Sequence, residues 1–260
     1  MQNKKYKYIY GPVPSWRLGS SLGIDPVSKG RKICSFDCVY CQIGKTGFFT
    51  NERRKFIETR EIIDELESLP PMKIDYLTFS GAGEPTLAEN LGEMVKAIRQ
   101  IRREHIAVIT NSSLLDNKGV REDLVLTDFV IAKLDAPTQA VFKKINQPMP
   151  DISFERVIDG IKTFRQMFKK KLALQIMFIE QNRKYAQEIA QIAKEINPDE
   201  VQINTPLRPC DVKPLSRQEI DRIEGYFNGL KTISVYRAET KKIKPISDED
   251  TLKRRGKIKS

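Results

Sequence analysis

Hydrophobic positions recur along this chain in two alternating periods. Short runs rich in β-branched and aromatic residues, at 75–80, 106–110, 129–134, 172–179 and 200–205, read as strands. Between them, apolar residues three and four apart predict helices. Ile62, Ile63, Leu66 and Leu69 mark one over 59–69, ended by Pro70 and Pro71; Leu91, Met94, Val95, Ile98 and Ile101 mark another over 86–103. Further helices are predicted near 118–125, 139–145, 154–168 and 184–196, and residues 21–26 read as a first strand. Six strand-then-helix units argue for a parallel sheet with right-handed crossovers. The chemically unusual residues fall repeatedly at strand C-termini. That favours an α/β fold built as a partial (β/α)6 TIM-like barrel over a doubly wound sheet.

The ends depart from this rhythm. Residues 1–20 carry Gly11, Pro12, Pro14 and Gly19, which exclude a regular helix and predict a shaped N-terminal loop segment. The barrel is expected over 21–209 and a short C-terminal extension over 210–240. Ser216 and Glu219 form a capping-box pattern for a helix to about Leu230, and 232–236 reads as a terminal strand. Residues 241–260 are basic and poor in large apolar side chains, which predicts a mobile arm or a docking element.

Composition narrows the class. The chain has 260 residues, 40% of them hydrophobic, enough for a sizeable core. No run of about 18 apolar residues is present, so no membrane span is expected. The start has charge without an apolar stretch behind it, unlike a signal peptide. Four cysteines, three of them clustered, point to a reducing cytoplasm. A net charge of +11 suits a polyanionic partner such as tRNA or other nucleic acid, or simply a charged, soluble surface.

The candidate chemistry centres on Cys34, Cys38 and Cys41, three thiols within eight residues. Thiolates suit iron–sulfur clusters, zinc and copper(I). Three are one short of a closed site, so either one metal position stays open or Cys210 completes a structural zinc site. Gly81, Ala82, Gly83 and Glu84 end a strand, where glycines let backbone approach a ligand closely. Asn111 and Ser112 end the next strand. Lys133 and Asp135 end the fourth and share a side by alternation. Gln175 and Met177 share a face of the fifth, and Asn204 with Thr205 ends the sixth. Arg17 could meet a phosphate or carboxylate at the mouth of a site, or belong to a segment that plugs one end of the fold. Lys133 could position a ligand or form a Schiff base, and Cys210 could donate a hydrogen atom, ligate a metal or stay inert. The sole histidine, His105, precedes a strand at the opposite end from these groups, so histidine acid–base catalysis is not expected.

The cysteine spacing, with Tyr40 just before the third thiol, resembles the radical S-adenosylmethionine (SAM) superfamily, and the Gly81–Glu84 stretch resembles that superfamily's glycine-glutamate motif. The resemblance implies a [4Fe–4S] cluster on Cys34, Cys38 and Cys41, with SAM on the fourth iron. It implies reductive cleavage of SAM to a 5′-deoxyadenosyl radical that abstracts a substrate hydrogen, with a flavodoxin- or ferredoxin-like electron donor. By the same resemblance Tyr40 lies near the adenine, Gly81, Gly83 and Glu84 bind the SAM amino group, and Asn111, Ser112, Asp135, Gln175 and Thr205 complete the SAM site. Residues Tyr10 to Pro209 together look like uncharacterised proteins grouped with wyosine tRNA synthases. Those synthases carry extra N-terminal cysteines for a second cluster; here the first cysteine is already Cys34. A radical enzyme acting on tRNA or other RNA is expected. The alternatives are a radical activase or modifier of a protein or peptide, and an RNA-binding module with a structural metal.

Overall fold

The computed structural model describes residues 6–27, 30–239 and 241–255. The first five residues, read above as too polar for a leader, and the last five of the basic tail lie outside the described residues. The strands are β1 (Ile9–Ser15), β2 (Gly19–Ile24), β3 (Ile33–Cys34), β4 (Phe48–Phe49), β5 (Tyr76–Phe79), β6 (His105–Thr110), β7 (Phe129–Lys133), β8 (Lys171–Met177), β9 (Glu200–Asn204) and β10 (Thr232–Ser234). The helices are α1 (Thr59–Glu67), α2 (Leu91–Ile101), α3 (Lys118–Leu124), α4 (Gln139–Asn146), α5 (Phe154–Met167), α6 (Ala186–Ile196), α7 (Arg217–Glu224) and α8 (Asp248–Arg255).

One eight-stranded sheet runs β1-β2-β5-β6-β7-β8-β9-β10. Its six central strands are the six expected ones, all parallel, each followed by the helical crossover its apolar spacing predicts. Period-two alternation sorts the side chains. Val108, Val130, Leu172 and Leu174 face the helices in the main core. Ala107, Phe129, Ile131 and Ala173 face the other way and pack with Leu18, closing the N-terminal end of the barrel. Continuing along that inner face places Lys133, Gln175 and Met177 at the open end.

A repeated device ties the closed end. Asp75, Asp128 and Asp199 precede β5, β7 and β9. Each carboxylate accepts from the N–H of the second residue of the neighbouring strand: Ser20 at 2.7 Å, Ile106 at 2.8 Å and Leu172 at 2.8 Å. Each also holds a cation, Lys241, Arg99 and Arg165 respectively.

One end segment differs from expectation, and two fall within it. The N-terminal stretch is not all loop: residues 9–15 form β1, antiparallel to β2. An edge strand tolerates Pro12 and Pro14, since its outer side needs no N–H donors. Residues 232–234 extend the sheet as β10, parallel to β9. The basic tail is a docking element. Its helix α8 packs on β1, Ile246 N donates to Gly11 O at 2.6 Å, and Gly11 N donates to Thr251 Oγ1 at 3.1 Å. These bonds are polar, so no hydrophobic pattern announces them.

Candidate active site

The cysteine loop leaves β2 and crosses the open end of the barrel. It is pinned to the end of β5 by backbone pairing: Ile33 N donates to Ala82 O at 3.0 Å and Glu84 N to Ile33 O at 2.9 Å. Gly83 makes this possible, because a Cβ there would lie 2.0 Å from Ile33 O. Gly81, at φ 140°, leaves room for Asp25, whose carboxylate accepts from Ala82 N at 2.9 Å. The close approach these glycines allow is therefore first to the chain's own loop. Gly81 also borders the cavity described below.

Glu84 is buried and turned inward. It accepts from Thr86 N, Thr86 Oγ1, Thr110 Oγ1 and Asn111 N at 2.6–3.0 Å, stitching β5 to β6. Burial raises its pKa despite these bonds. Asn111 in turn donates to Cys34 Sγ at 3.6 Å and to Ser35 Oγ at 2.9 Å. Ser112, at φ 72°, spends its hydroxyl on the Lys133 carbonyl at 3.0 Å. Thr205 accepts from Leu215 N at 2.9 Å. Glu84, Ser112 and Thr205 thus bond their own chain, and Asn204, next to Thr205, lines the cavity instead.

All four cysteines are free. Cys34 and Cys38 face N–H donors: Phe36 N reaches Cys34 Sγ at 3.5 Å and Asn146 Nδ2 reaches Cys38 Sγ at 3.6 Å. Burial pushes the Cys34 thiol up to about 12 and the Cys38 thiol to about 11. Lys32, nearly buried, stands against the three sulfurs. Burial would lower its pKa, but the charges of Cys41 and Cys34 outweigh that and raise it. Thiols this hard to ionise become thiolates when a metal takes the proton's place. Cys210 donates to Val212 O at 3.3 Å. Among the described residues no three Cys, His, Asp or Glu side chains converge where one metal ion could be held. These N–H donors and the Lys32 ammonium would suit the negative sulfurs of thiolates holding a cluster.

Tyr40 and Asp135 form a second buried knot. The Tyr40 hydroxyl donates to Asp135. Asp135 also accepts from Asn146 Nδ2 and from Met177 N, both at 2.8 Å. Burial and the Asp135 charge hold the Tyr40 phenol well above its usual range. Lys133 Nζ lies 3.7 Å from Asp135 and 4.5 Å from the Tyr40 ring centroid. Asn146 escaped sequence reasoning. It ends α4, where a polar residue looks like a cap, and only the fold carries it to Cys38, Tyr40 and Asp135.

Tyr40 and Lys133 border a cavity of about 250 Å³ inside the barrel, lined also by Arg17, Cys41, Gln175 and Met177 among others. Arg208 and Arg255, which sequence reasoning passed over, line its far side. They come from the segment after β9 and from the docked tail.

A family model for the radical SAM superfamily matches residues 31–193. The chain is 41% identical over 231 residues to a UPF0026 protein of Synechocystis sp., covering 88% of this chain and 84% of that protein. It is 40% identical over 232 residues to a UPF0026 protein of Methanocaldococcus jannaschii, covering 85% and 71%. The fold is similar to Streptococcus suis SuiB bound to S-adenosylmethionine, with a TM-score of 0.61 at 15% identity. That match covers 81% of this chain and about half (50%) of that one. The chain belongs to the radical SAM superfamily, and to the UPF0026 family of these two relatives. It is thus an enzyme of a superfamily that uses a [4Fe–4S] cluster and SAM. The two relatives carry the UPF0026 name and not that of the wyosine tRNA synthases, so the expected subgroup finds no support.

Proposed function

We propose that Cys34, Cys38 and Cys41 hold the cluster over the barrel mouth. In this reading SAM lies between the cluster and Gly81, Gln175 and Asn204. The observation that carries the reading is a cavity bordered by a free cysteine, Cys41, whose loop faces N–H donors and the Lys32 ammonium. When bound, the reduced cluster supplies the electron that cleaves SAM to methionine and a 5′-deoxyadenosyl radical, which takes a hydrogen atom from the substrate. The chain's own residues position and shield. Asn111, Asn146 and Phe36 N offset negative charge on the sulfurs. Asp135 anchors Tyr40 and the end of β8, a positioning role in place of the SAM contact expected for it. Lys133, steered by Asp135 and the Tyr40 face, is a cation poised over the cavity for a carboxylate of SAM or substrate. A basic surface pocket beside the cysteine loop, with Lys7, Arg31, Lys45 and Lys253, suits an acidic flavodoxin- or ferredoxin-like electron donor.

The test is anaerobic reconstitution with iron and sulfide, then dithionite and SAM, with 5′-deoxyadenosine as readout. The wild type should form it; Cys38→Ala should lose both the cluster iron and the product. A Cys38→Ala protein that keeps a full cluster and cleaves SAM would refute the ligand assignment.

A further inference from the structure

Arg17 sits in the turn between β1 and β2, Arg208 on the segment leaving β9, and Arg255 at the end of α8. The fold brings all three to one cavity. Among the described residues none of them has a carboxylate partner. The cavity lining includes five cationic residues, with Lys133 and Arg254, and no acidic one. The other two lean on carboxylates, Arg254 on Asp25 at 3.6 Å and Lys133 on Asp135 at 3.7 Å. Arg17 Nε is buried and has no hydrogen-bond partner among the described residues. Burial and the mutual repulsion of the guanidinium groups lower the pKa of Arg17 to about 9 and that of Arg208 to about 10. A guanidinium stays charged at these values, so the lowering reflects first the cost of burying each cation, to which their mutual repulsion adds.

The arrangement is fixed by neutral acceptors, which orient the cations without neutralising them. Arg208 donates to Gln42 Oε1 at 2.9 Å and to the Arg255 carbonyl; Arg255 donates to the Pro14 carbonyl at 3.4 Å. Gln42 adjoins Cys41, so these cations stand beside the proposed cluster.

We propose that Arg17, Arg208 and Arg255 receive an anionic group, phosphate or carboxylate, of a small-molecule substrate whose hydrogen is abstracted in this cavity. The proposal rests on the radical SAM reading of the site. Guanidinium groups match both anions by paired N–H donors. The anion would offset the repulsion among the three guanidinium groups. Small size follows from the closure: α8 and the Arg208 segment bridge the two sides of the open sheet and leave a cavity of about 250 Å³. A folded RNA would meet α8 before the arginines.

Trp16 is the only tryptophan, and the Arg17 guanidinium lies 4.9 Å from its ring centroid. Its fluorescence therefore reports on the site. The full chain is titrated with inorganic phosphate and, separately, acetate, at constant ionic strength set by chloride. At least one should give a saturable change, with affinity about tenfold or more weaker in Arg208→Gln and in Arg255→Gln. Arg208→Lys keeps the charge without the fork and should fall between, provided its melting curve matches the wild type. The stronger anion names the group. A response equal to chloride, or Gln variants of wild-type affinity, overturns the proposal. Phosphate competing with SAM for one site would assign the arginines to the SAM carboxylate and also overturn it. A tRNA complex lost in the same variants would move the site to RNA, against the small-molecule assignment. The titration needs neither cluster nor SAM, so failure of the radical SAM reading appears separately, as absent SAM binding after reconstitution.

Discussion

The two ends of the barrel handle charge in opposite ways. At the closed end Asp75, Asp128 and Asp199 repeat one arrangement: each caps a neighbouring strand and is matched by a lysine or arginine. Each of these three carboxylates has its counterion within the chain. At the open end the acids, Glu84 and Asp135, are spent on hydrogen bonds within the frame, while Arg17, Arg208 and Arg255 face a cavity without one. Charge that the chain neutralises itself serves stability; charge left uncompensated in a cavity is available to a ligand. The contrast makes a demand: changes at the open end should alter cluster loading or ligand binding, and changes at the closed end stability alone.

The largest effect is expected at Gly83. In Gly83→Ala the new Cβ would press on the Ile33 carbonyl, a backbone atom that cannot swing aside. Forcing the cysteine loop off β5 should cost about 1–3 kcal/mol and misplace Cys34. Iron bound after reconstitution should fall well below that of the wild type while the far end of the sheet stays folded. Full iron loading in this variant would show that the seam between Ile33 and Gly83 does not set the loop. A smaller effect is expected from Asn146→Leu. It removes the donor to Cys38, Tyr40 and Asp135 and leaves buried acceptors short of a partner, worth about 1–3 kcal/mol. Destabilisation in urea should accompany weaker SAM binding, because Tyr40 loses one of its two anchors. Unchanged SAM affinity would make the Tyr40 and Asp135 knot purely structural.

The hydrophobic pattern sufficed for the central barrel, because each parallel strand is buried on both faces and each helix on one, and both leave a periodic trace. The cysteine spacing was legible as chemistry for another reason: metal ligation depends on residue type within a short loop. What escaped depends on chain topology. β1 hid behind Pro12 and Pro14, which rule out a central strand but not an edge one. Residues 248–255 hid because α8 is held by polar bonds to Gly11 and Pro14. Asn146 lies over a hundred positions from Cys38, so no local pattern joins them. Glu84, Ser112 and Thr205 were recognised as unusual residues at strand ends, yet their polar atoms are turned to the chain itself. Position at a strand end marks a neighbourhood, not an orientation.

The smallest effect, and the one that isolates the closed end, is that of Asp128→Asn. Burial alone would raise the Asp128 pKa, but the Arg99 guanidinium, the Ile106 N–H and Lys170 outweigh it and hold the carboxyl below its ordinary value. His105 adds a further cation when protonated, with Nδ1 at 3.8 Å. A carboxyl with a lowered folded pKa contributes stability that is present above its unfolded value, about 3.9, and is lost as pH falls through the folded one. Asparagine can still accept from Ile106 N–H but loses the charge that Arg99 and Lys170 face. Asp128 is partly exposed, so solvent screening limits the cost at neutral pH to about 1 kcal/mol. Once the pH falls below the lowered folded value, the wild-type carboxyl is itself largely protonated, and the two proteins should converge in their urea midpoints. Iron loading and the phosphate response of Trp16 should match the wild type at neutral pH. A stability gap that persists into acid would mean that Asp128 acts through packing and not through charge. A gap confined to neutral pH with altered iron loading would mean that the two ends of the barrel are coupled, and the division of labour between them would fail.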